Sequence, residues 1–287
     1  MLIWIVIIIV VTLLSLKLFI DNNIFQVVNY KLSSKKLPKE FDGFKIVQLA
    51  DLHSKEFGEK NSNLIKRIKI INPNVIMVTG DMINDDENYD VCINLLKKLS
   101  LEYKVYFTVG NHEQNLQLIN PHKYNNMMAD LMKIKVDVIE NGKREILYKN
   151  KKINLYGSIM QLRYYRNMMK KESKNIEFRL EDLEESVGKS DENAYNILMI
   201  HNPIFFNVYD LWKADLVLCG HMHGGMIKLP LIGGVFSPEH TFFPKYCSGR
   251  FQHNNTNMIV SRGLGRGGFG FRLFNRPELT VITLKNR

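Results

Sequence analysis

In the stretch Asp215-Leu-Val-Leu-Cys-Gly-His-Met-His-Gly-Gly225 an apolar run, Leu216 to Cys219, stops at Gly220 and two histidines follow, one residue apart. A short apolar run bounded by glycine reads as a buried strand. In an extended segment side chains i and i+2 point to the same side. His221 and His223 are therefore expected to leave a strand end aimed at one spot. Imidazole is a common ligand for transition metals. Gly224 and Gly225 let the backbone crowd that spot with no Cβ in the way. Taken alone, H-x-H has a plainer reading, with one ring on a carbonyl and the other solvated. Other strand ends in the chain argue against it.

Phe44 to Ala50 reads as a strand that ends at Asp51-Leu-His53. Leu64, Ile65, Ile68 and Ile71 have helical spacing, closed by Pro73. Val75 to Thr79 is the next strand, and it terminates at Gly80-Asp81. A second amphipathic helix is expected over Glu87 to Leu99. Tyr103 to Val109 is a third strand, stopping at Gly110-Asn-His-Glu113. Tyr195 to Ile200 is another buried strand, followed by His201-Asn-Pro203 and a helix over about Ile204 to Trp212. In open α/β sheets, ligands bind at the carboxyl ends of the strands. Single members have ordinary readings, such as a helix N-cap for Asp51 or turns at Gly80-Asp81 and Gly110-Asn111.

Together, Asp51, Asp81, Asn111, His53, His201, His221 and His223 offer two carboxylates, one amide and four imidazoles. Such a set can bind two first-row divalent ions. Two ions sharing a carboxylate acidify a common water to hydroxide, which can attack phosphorus in line. His112 is left over and is free to protonate a leaving oxygen.

The remaining segments are expected as follows. His122 to Lys135 is a helix with Met127, Met128, Leu131 and Met132 in the core. Asn141-Gly142 and Asn150-Lys151 read as hairpin turns. Gln161 to Gly188 is a charged cover layer reaching over the site. Ile227 to Leu229, Met258 to Val260 and Leu279 to Leu284 read as strands of a second sheet. Gly263-Leu-Gly-Arg-Gly-Gly-Phe-Gly270 lacks the βαβ context of a dinucleotide fingerprint. It reads as a loop whose neighbours Arg262 and Arg266 could meet an anionic substrate or form rim charge.

The chain has 287 residues, 45% of them hydrophobic, which suits one large domain beyond an N-terminal apolar segment. The formal net charge is +10. No dense Lys/Arg block with interleaved aromatics appears, so nucleic acid is the weaker partner and an anionic phosphate substrate the stronger. Cys92, Cys219 and Cys247 are too few and too scattered for a disulfide framework. Leu2 to Leu16 carries no charge and, with Lys17-Leu-Phe-Ile20, reaches about the ~20 residues that cross a bilayer. Lys31, Lys35, Lys36 and Lys39 lie downstream and no Lys or Arg lies upstream, which favours a cytoplasmic catalytic domain. The expected organisation is a single-pass membrane anchor over 1–20, a Lys-rich connector over 21–43, and one domain over 44–287.

The set Asp51-x-His53, Gly80-Asp81, Gly110-Asn-His-Glu113, His201 and Gly220-His-x-His223 resembles the calcineurin-like metallophosphoesterase family. The resemblance spans about Phe44 to Val260, in the family's order. It implies an α/β fold, an αββα sandwich of two mixed sheets. It implies that Asp51, His53, Asp81 and His223 hold one divalent ion, and that Asp81, Asn111, His201 and His221 hold the other. Asp81 would then bridge and His112 would be catalytic. Mixed N/O ligands suit manganese, iron, zinc or nickel alike. The apolar helix, Gly224-Gly225, Leu229-Pro230, Ser261-Arg-Gly-Leu-Gly265 and Asn275-Arg-Pro-Glu278 resemble a membrane-anchored branch associated with lipid-linked pyrophosphates such as UDP-2,3-diacylglucosamine. Many members carry an acid three residues after the bridging Asp, paired with the catalytic His. Here Asn84 stands there, with Asp85 next. The expected function is hydrolysis of a phosphodiester or pyrophosphate bond. A nuclease or nucleotide phosphodiesterase, and a non-catalytic metal-binding module, are the alternatives.

Overall fold

The N-terminal apolar run forms one unbroken helix, α1 (Leu2–Asn23). Residues 1–16 are exposed throughout, whereas Asp21 and Asn22 in the last turn are buried. The helix is long and apolar enough to cross a membrane, by length and composition. The computed structural model describes residues 1–84, 88–165, 176–225, 227–229, 232–266 and 270–287.

Strands β1 (Gln26–Ser34), β2 (Lys45–Leu49), β3 (Val75–Thr79), β4 (Lys104–Thr108) and β5 (Asp137–Val138) belong to a first sheet. Helices α2 (Ser62–Ile71), α3 (Asp90–Ser100), α4 (Asn111–Ile119) and α5 (Pro121–Lys133) connect them. A second sheet takes β6 (Asn141–Tyr148), β7 (Lys151–Ser158), β8 (Asn196–Ile200) and β9 (Leu216–Cys219), with α6 (Leu180–Val187) and α7 (Phe206–Leu211) on its outer face. A two-stranded ribbon follows, β10 (Lys228–Leu229) and β11 (Gly233–Gly234). Then β12 (Gly249–His253) and β13 (Thr256–Val260) complete the second sheet, and β14 (Glu278–Asn286) returns to the first. The strand orders are β1-β14-β2-β3-β4-β5 and β12-β13-β9-β8-β7-β6. Both sheets are mixed: β2 to β5 run parallel, while β14 pairs antiparallel with β2 and parallel with β1.

Strand alternation assigns each face. On β9, Leu216 and Leu218 enter the core between the sheets, while Val217 and Cys219 face the layer that holds α6 and α7. On β2, Ile46 faces the inter-sheet core and Val47 and Leu49 pack under the helices of the first sheet. Four layers result, helix, sheet, sheet, helix, which is the expected αββα sandwich. Gln48 crosses between the sheets, its Nε2 donating to Thr79 Oγ1 at 3.0 Å and Cys219 O at 2.9 Å.

The structure differs from several expectations. Residues 26–34, expected as part of a connector, are β1, in register with β14 from Gln26↔Glu278 to Ser34↔Asn286. A Lys-rich composition hid this, because an edge strand buries little of its surface and tolerates charge. β14, expected in the second sheet, lies in the first. Asn141-Gly142 is not a turn but the start of β6, opposite Ser158 and Gly157. The turn sits at Lys149-Asn150, both at positive φ as a two-residue hairpin requires. Asp85, residues 166–175 of the charged segment, Pro230, and residues 267–269 of the glycine-rich loop lie outside the described residues.

Candidate metal centre

The site forms where β2, β3, β4, β8 and β9 end, along one edge of the sandwich. Asp51 and His53 follow β2, Asp81 follows β3, and Asn111 and His112 open α4 after β4. His201 follows β8, and His221 and His223 follow β9. Asp51, His53, Asp81, His221 and His223 all take positive φ, between 47° and 69°. Asp, Asn and His enter this region more readily than most residues, and non-glycine strain of this kind gathers at functional sites. These loops are therefore not extended. His221 and His223 do not meet at one spot, as strand alternation would have them do. They part into two groups.

Asp51, His53 and His223 offer ligand atoms within 4.8 Å of one another, and so do Asp81, His201 and His221. Asp81 also groups with His53 and His112, which places it between the two sets. His53 Nε2 and His223 Nε2 face each other at 3.1 Å. Burial lowers His53 to about 3 and holds His223 well below the usual imidazole range. Burial keeps both rings neutral, and two neutral imidazoles with their Nε2 atoms this close suit a shared cation once a metal ion displaces the proton between them. His201 uses Nδ1 on Thr79 O at 2.5 Å. Its Nε2 stands 3.0 Å from Asp81 Oδ2 and 3.7 Å from Asp51 Oδ1, without hydrogen-bond geometry. Against the effect of burial, Asp81 and Asp51 raise His201 to about 10. Those carboxylates want positive charge there, as a proton or as a metal ion.

Asp51 is pushed up to about 6, mainly by burial. Asp81 is held well below the usual carboxylate range, because His201, His112 and His53 outweigh the effect of burial. Asp51 Oδ2, Asn111 Oδ1 and His201 Nε2 are buried with no hydrogen-bond partner. Buried polar atoms are rarely left so, and a carboxylate, an amide oxygen and an imidazole gathered at one edge fit a divalent pair.

The backbone around the carboxylates leaves no spare room. A Cβ at Gly110 would stand 2.2 Å from Asp81 Oδ1, and one at Gly263, where φ is +71°, 2.6 Å from Asp51 Cβ. His221 N donates to Asp51 Oδ1 and His112 N donates to Asp81 Oδ1, each at 2.9 Å. His112 Nε2 lies 3.9 Å from Asp81 Oδ2, and its ring stands edge-on to His53 at 4.6 Å.

All seven expected ligands and His112 gather here. The arginines divide: Arg266 lines the adjoining cavity, of about 1060 Å³, whereas Arg262 Nε turns to Glu278 Oε2 at 3.3 Å. Asn84 lines the same cavity. Tyr165, in the segment expected to cover the site, packs its ring against His221 at 4.9 Å.

Three contributors escaped the sequence. Glu113 is fully buried and accepts from Asp81 N, Met82 N and Gly110 N at 2.8–2.9 Å. It locks the β3 and β4 loops together; its place in Gly110-Asn-His-Glu113, three residues into a helix, was the available signal. Arg272 is fully buried and donates to Gly265 O and Arg262 O, at 2.7 and 2.6 Å, tying down the glycine-rich loop. Glu239 accepts from His221 Nε2 at 2.7 Å and from Asn202 Nδ2 at 3.0 Å. No spacing rule announces a carboxylate that arrives 18 residues after its partner.

Fold and ligand set together define a metal-dependent phosphoester hydrolase with a dinuclear divalent-metal centre. Comparison with known proteins agrees: a model described as "Calcineurin-like phosphoesterase" matches residues 44–225, more than half the chain. The chain belongs to that family. It is 26% identical to the uncharacterized metallophosphoesterase YkuE of Bacillus subtilis, covering 93% of this chain and 88% of that one. It is 26% identical to the phosphodiesterase YaeI of Escherichia coli, over 84% and 82%. It is 22% identical to the UDP-2,3-diacylglucosamine pyrophosphatase LpxG of Chlamydia muridarum, over 86% of each.

Proposed function

We propose that the chain is a single-pass membrane hydrolase of phosphodiester or pyrophosphate bonds, acting on a lipid-linked substrate. The observation that carries this is one cavity reaching from the ligand cluster, at His53, Asp81 and Asn111, to Asn23 at the end of α1. Names of relatives point the same way, one a phosphodiesterase and one a pyrophosphatase of a diacylated sugar nucleotide. Asp51, His53, Asp81 and His223 would hold one divalent ion. Asp81, Asn111, His201 and His221 would hold the second, whether manganese, iron, zinc or nickel. Such a pair supplies Lewis acidity at the phosphoryl oxygens and lowers the pKa of water.

The chain's own groups do the rest. His112 is fixed by its backbone bond to Asp81 and by the start of α4. Its half-buried imidazole stands on the cavity wall, where it can give a proton to a leaving oxygen. Arg266 lines the cavity and offers positive charge to substrate phosphates, and Lys55 lines it beside Asn22 O. Burial, with help from Arg266 and Arg272, lowers Lys55 to about 7. Lys31, Lys35, Lys36 and Lys39 follow α1 and favour a cytoplasmic domain.

The test uses full-length protein in detergent with manganese. An aryl phosphodiester should be hydrolysed, and His112→Ala should slow this by roughly 10²–10⁴-fold. An unchanged rate in that variant removes the role given to His112. A screen of lipid pyrophosphates against DNA separates the lipid reading from a nuclease, the alternative that the net charge of +10 motivates. Preference for DNA, with steep salt dependence, would favour the nuclease. Metal binding without turnover of any phosphoester would favour the non-catalytic module.

A further inference from the structure

Outside α1, every exposed phenylalanine among the described residues falls in two short segments: Phe242 and Phe243, 67% and 58% exposed, and Phe271 and Phe274, 42% and 44% exposed. Single exposed apolar residues need no explanation, but clustered ones mark an interaction surface. The second of these segments is tied to the end of α1. Asp21 Oδ2 accepts from Phe274 N at 2.5 Å. Asn22 exchanges two hydrogen bonds with the Arg272 backbone, each 2.9 Å. Arg276 donates to Ile24 O and Phe25 O. Lys17 Nζ stands over the Phe274 ring at 5.2 Å.

The β10–β11 ribbon joins the same surface. Lys228 N donates to Leu273 O, and Ile227 bridges Leu273. The tip of that ribbon carries Ile232, 62% exposed. Val235 N returns to Ile227 O, Phe243 N donates to Val235 O, and the Phe236 and Phe242 rings meet at 5.0 Å. Phe236 and Pro238 line the metal-centre cavity together with Asn23 and Arg266. Backbone bonds therefore link residues 242–243, through the ribbon, to residues 271–274 at the end of α1, and Phe236 carries that link to the cavity wall.

We propose that Ile232, Phe242, Phe243, Phe271 and Phe274 form an interfacial patch that seats in the headgroup region of the bilayer holding α1, so that the metal-centre cavity opens onto the phosphates of that leaflet. The proposal rests on the reading of α1 as a membrane span. The helical residues 2–20, before the clamped last turn, measure about 28 Å, close to the ~30 Å hydrocarbon thickness. The first charge of the helix is Lys17, so the membrane–water boundary falls where α1 is clamped to residues 272–276. Phenylalanine and aliphatic side chains bury readily at the headgroup–acyl boundary. Arg266 and Arg276 add positive charge for anionic headgroups. A bilayer is the favoured occupant because the patch continues a helix whose apolar stretch is wholly unburied.

Full-length protein is tested in phosphatidylcholine–phosphatidylglycerol vesicles, with the half-buried Cys247 replaced by serine (C247S). Ile232→Cys and Phe243→Cys each receive a polarity-sensitive fluorophore. Ile9→Cys on α1 reports membrane insertion. Leu101→Cys lies before β4, at the sheet edge opposite the site, and reports water. Brominating the phosphatidylcholine acyl chains should quench the labels at positions 9, 232 and 243 and leave position 101 bright. If position 9 is quenched while 232 and 243 behave like 101, the patch does not meet lipid and the proposal fails with the anchor intact. Intersubunit crosslinking through 232 or 243 in that case would assign the patch to a second copy. If position 9 stays bright, the anchor reading fails and the patch proposal falls with it.

Discussion

Glu239 shows what one side chain outside the ligand set can do. It accepts from His221 Nε2 at 2.7 Å and is itself held by Asn202. That bond fixes the His221 tautomer and leaves Nδ1 as the nitrogen with a lone pair, the arrangement by which an outer carboxylate orients a metal-binding imidazole. Glu239→Ala should weaken binding of one of the two metal ions by about 10–100-fold in a calorimetric titration. Glu239→Gln, which still offers an oxygen, should recover most of that loss; equal affinities in all three proteins would reduce Glu239 to packing. His201 makes a second prediction. Raised to about 10, it is protonated at pH 7 in chelator-treated protein. A metal ion must displace that proton, so loading should release about one proton attributable to His201. Titration in two buffers of different protonation enthalpy measures it, and His201→Ala should remove it.

At the scale of elements, the first turn of α4 is the joint on which the centre turns. Glu113 takes three backbone N–H donors, from Asp81, Met82 and Gly110, and so sets the β3 loop against the β4 loop. Burial and the Asp81 carboxylate push Glu113 up, and the three donors oppose that rise. Glu113→Gln keeps the shape but turns an NH2 group toward at least one donor. A buried donor left without its partner costs about 1–3 kcal/mol. The variant should show a lower midpoint in urea unfolding and a weaker metal affinity together. Loss of stability with unaltered metal affinity would show that the loop is held by other means. The strands and most helices around this joint were readable from apolar spacing, as at Leu64, Ile65 and Ile68 or Leu95, Leu96 and Leu99. Asn141-Gly142 misled because the pair that makes a hairpin turn also fits a strand whose partner supplies Gly157 opposite.

Across the whole molecule, residues 21–34 pack against the C-terminal part of the chain. Asp21 and Asn22 are buried against residues 272–274, and β1 covers the edge of β14 along nine residue pairs. Removing residues 1–16 should leave a folded, soluble enzyme active on an aryl phosphodiester. Removing residues 1–34 should expose β14 and give aggregated protein, since an uncovered edge strand is a template for pairing. Size-exclusion chromatography distinguishes the two; a monodisperse, active product of the longer deletion would show that β1 is dispensable. By itself the sequence determined the apolar helix, the alternation of strand and helix, and the polar residues at each strand end, because periodicity and residue chemistry are local properties. The family resemblance implied how those residues divide into two groups, but only the tertiary structure decided the means, since left-handed loop backbones, not strand alternation, aim His221 and His223. It also decided that Arg262 pairs with Glu278, that Glu239 reaches His221, and that β1 and β14 close the first sheet. Each of these is a contact between segments distant along the chain, where no local pattern records the partner.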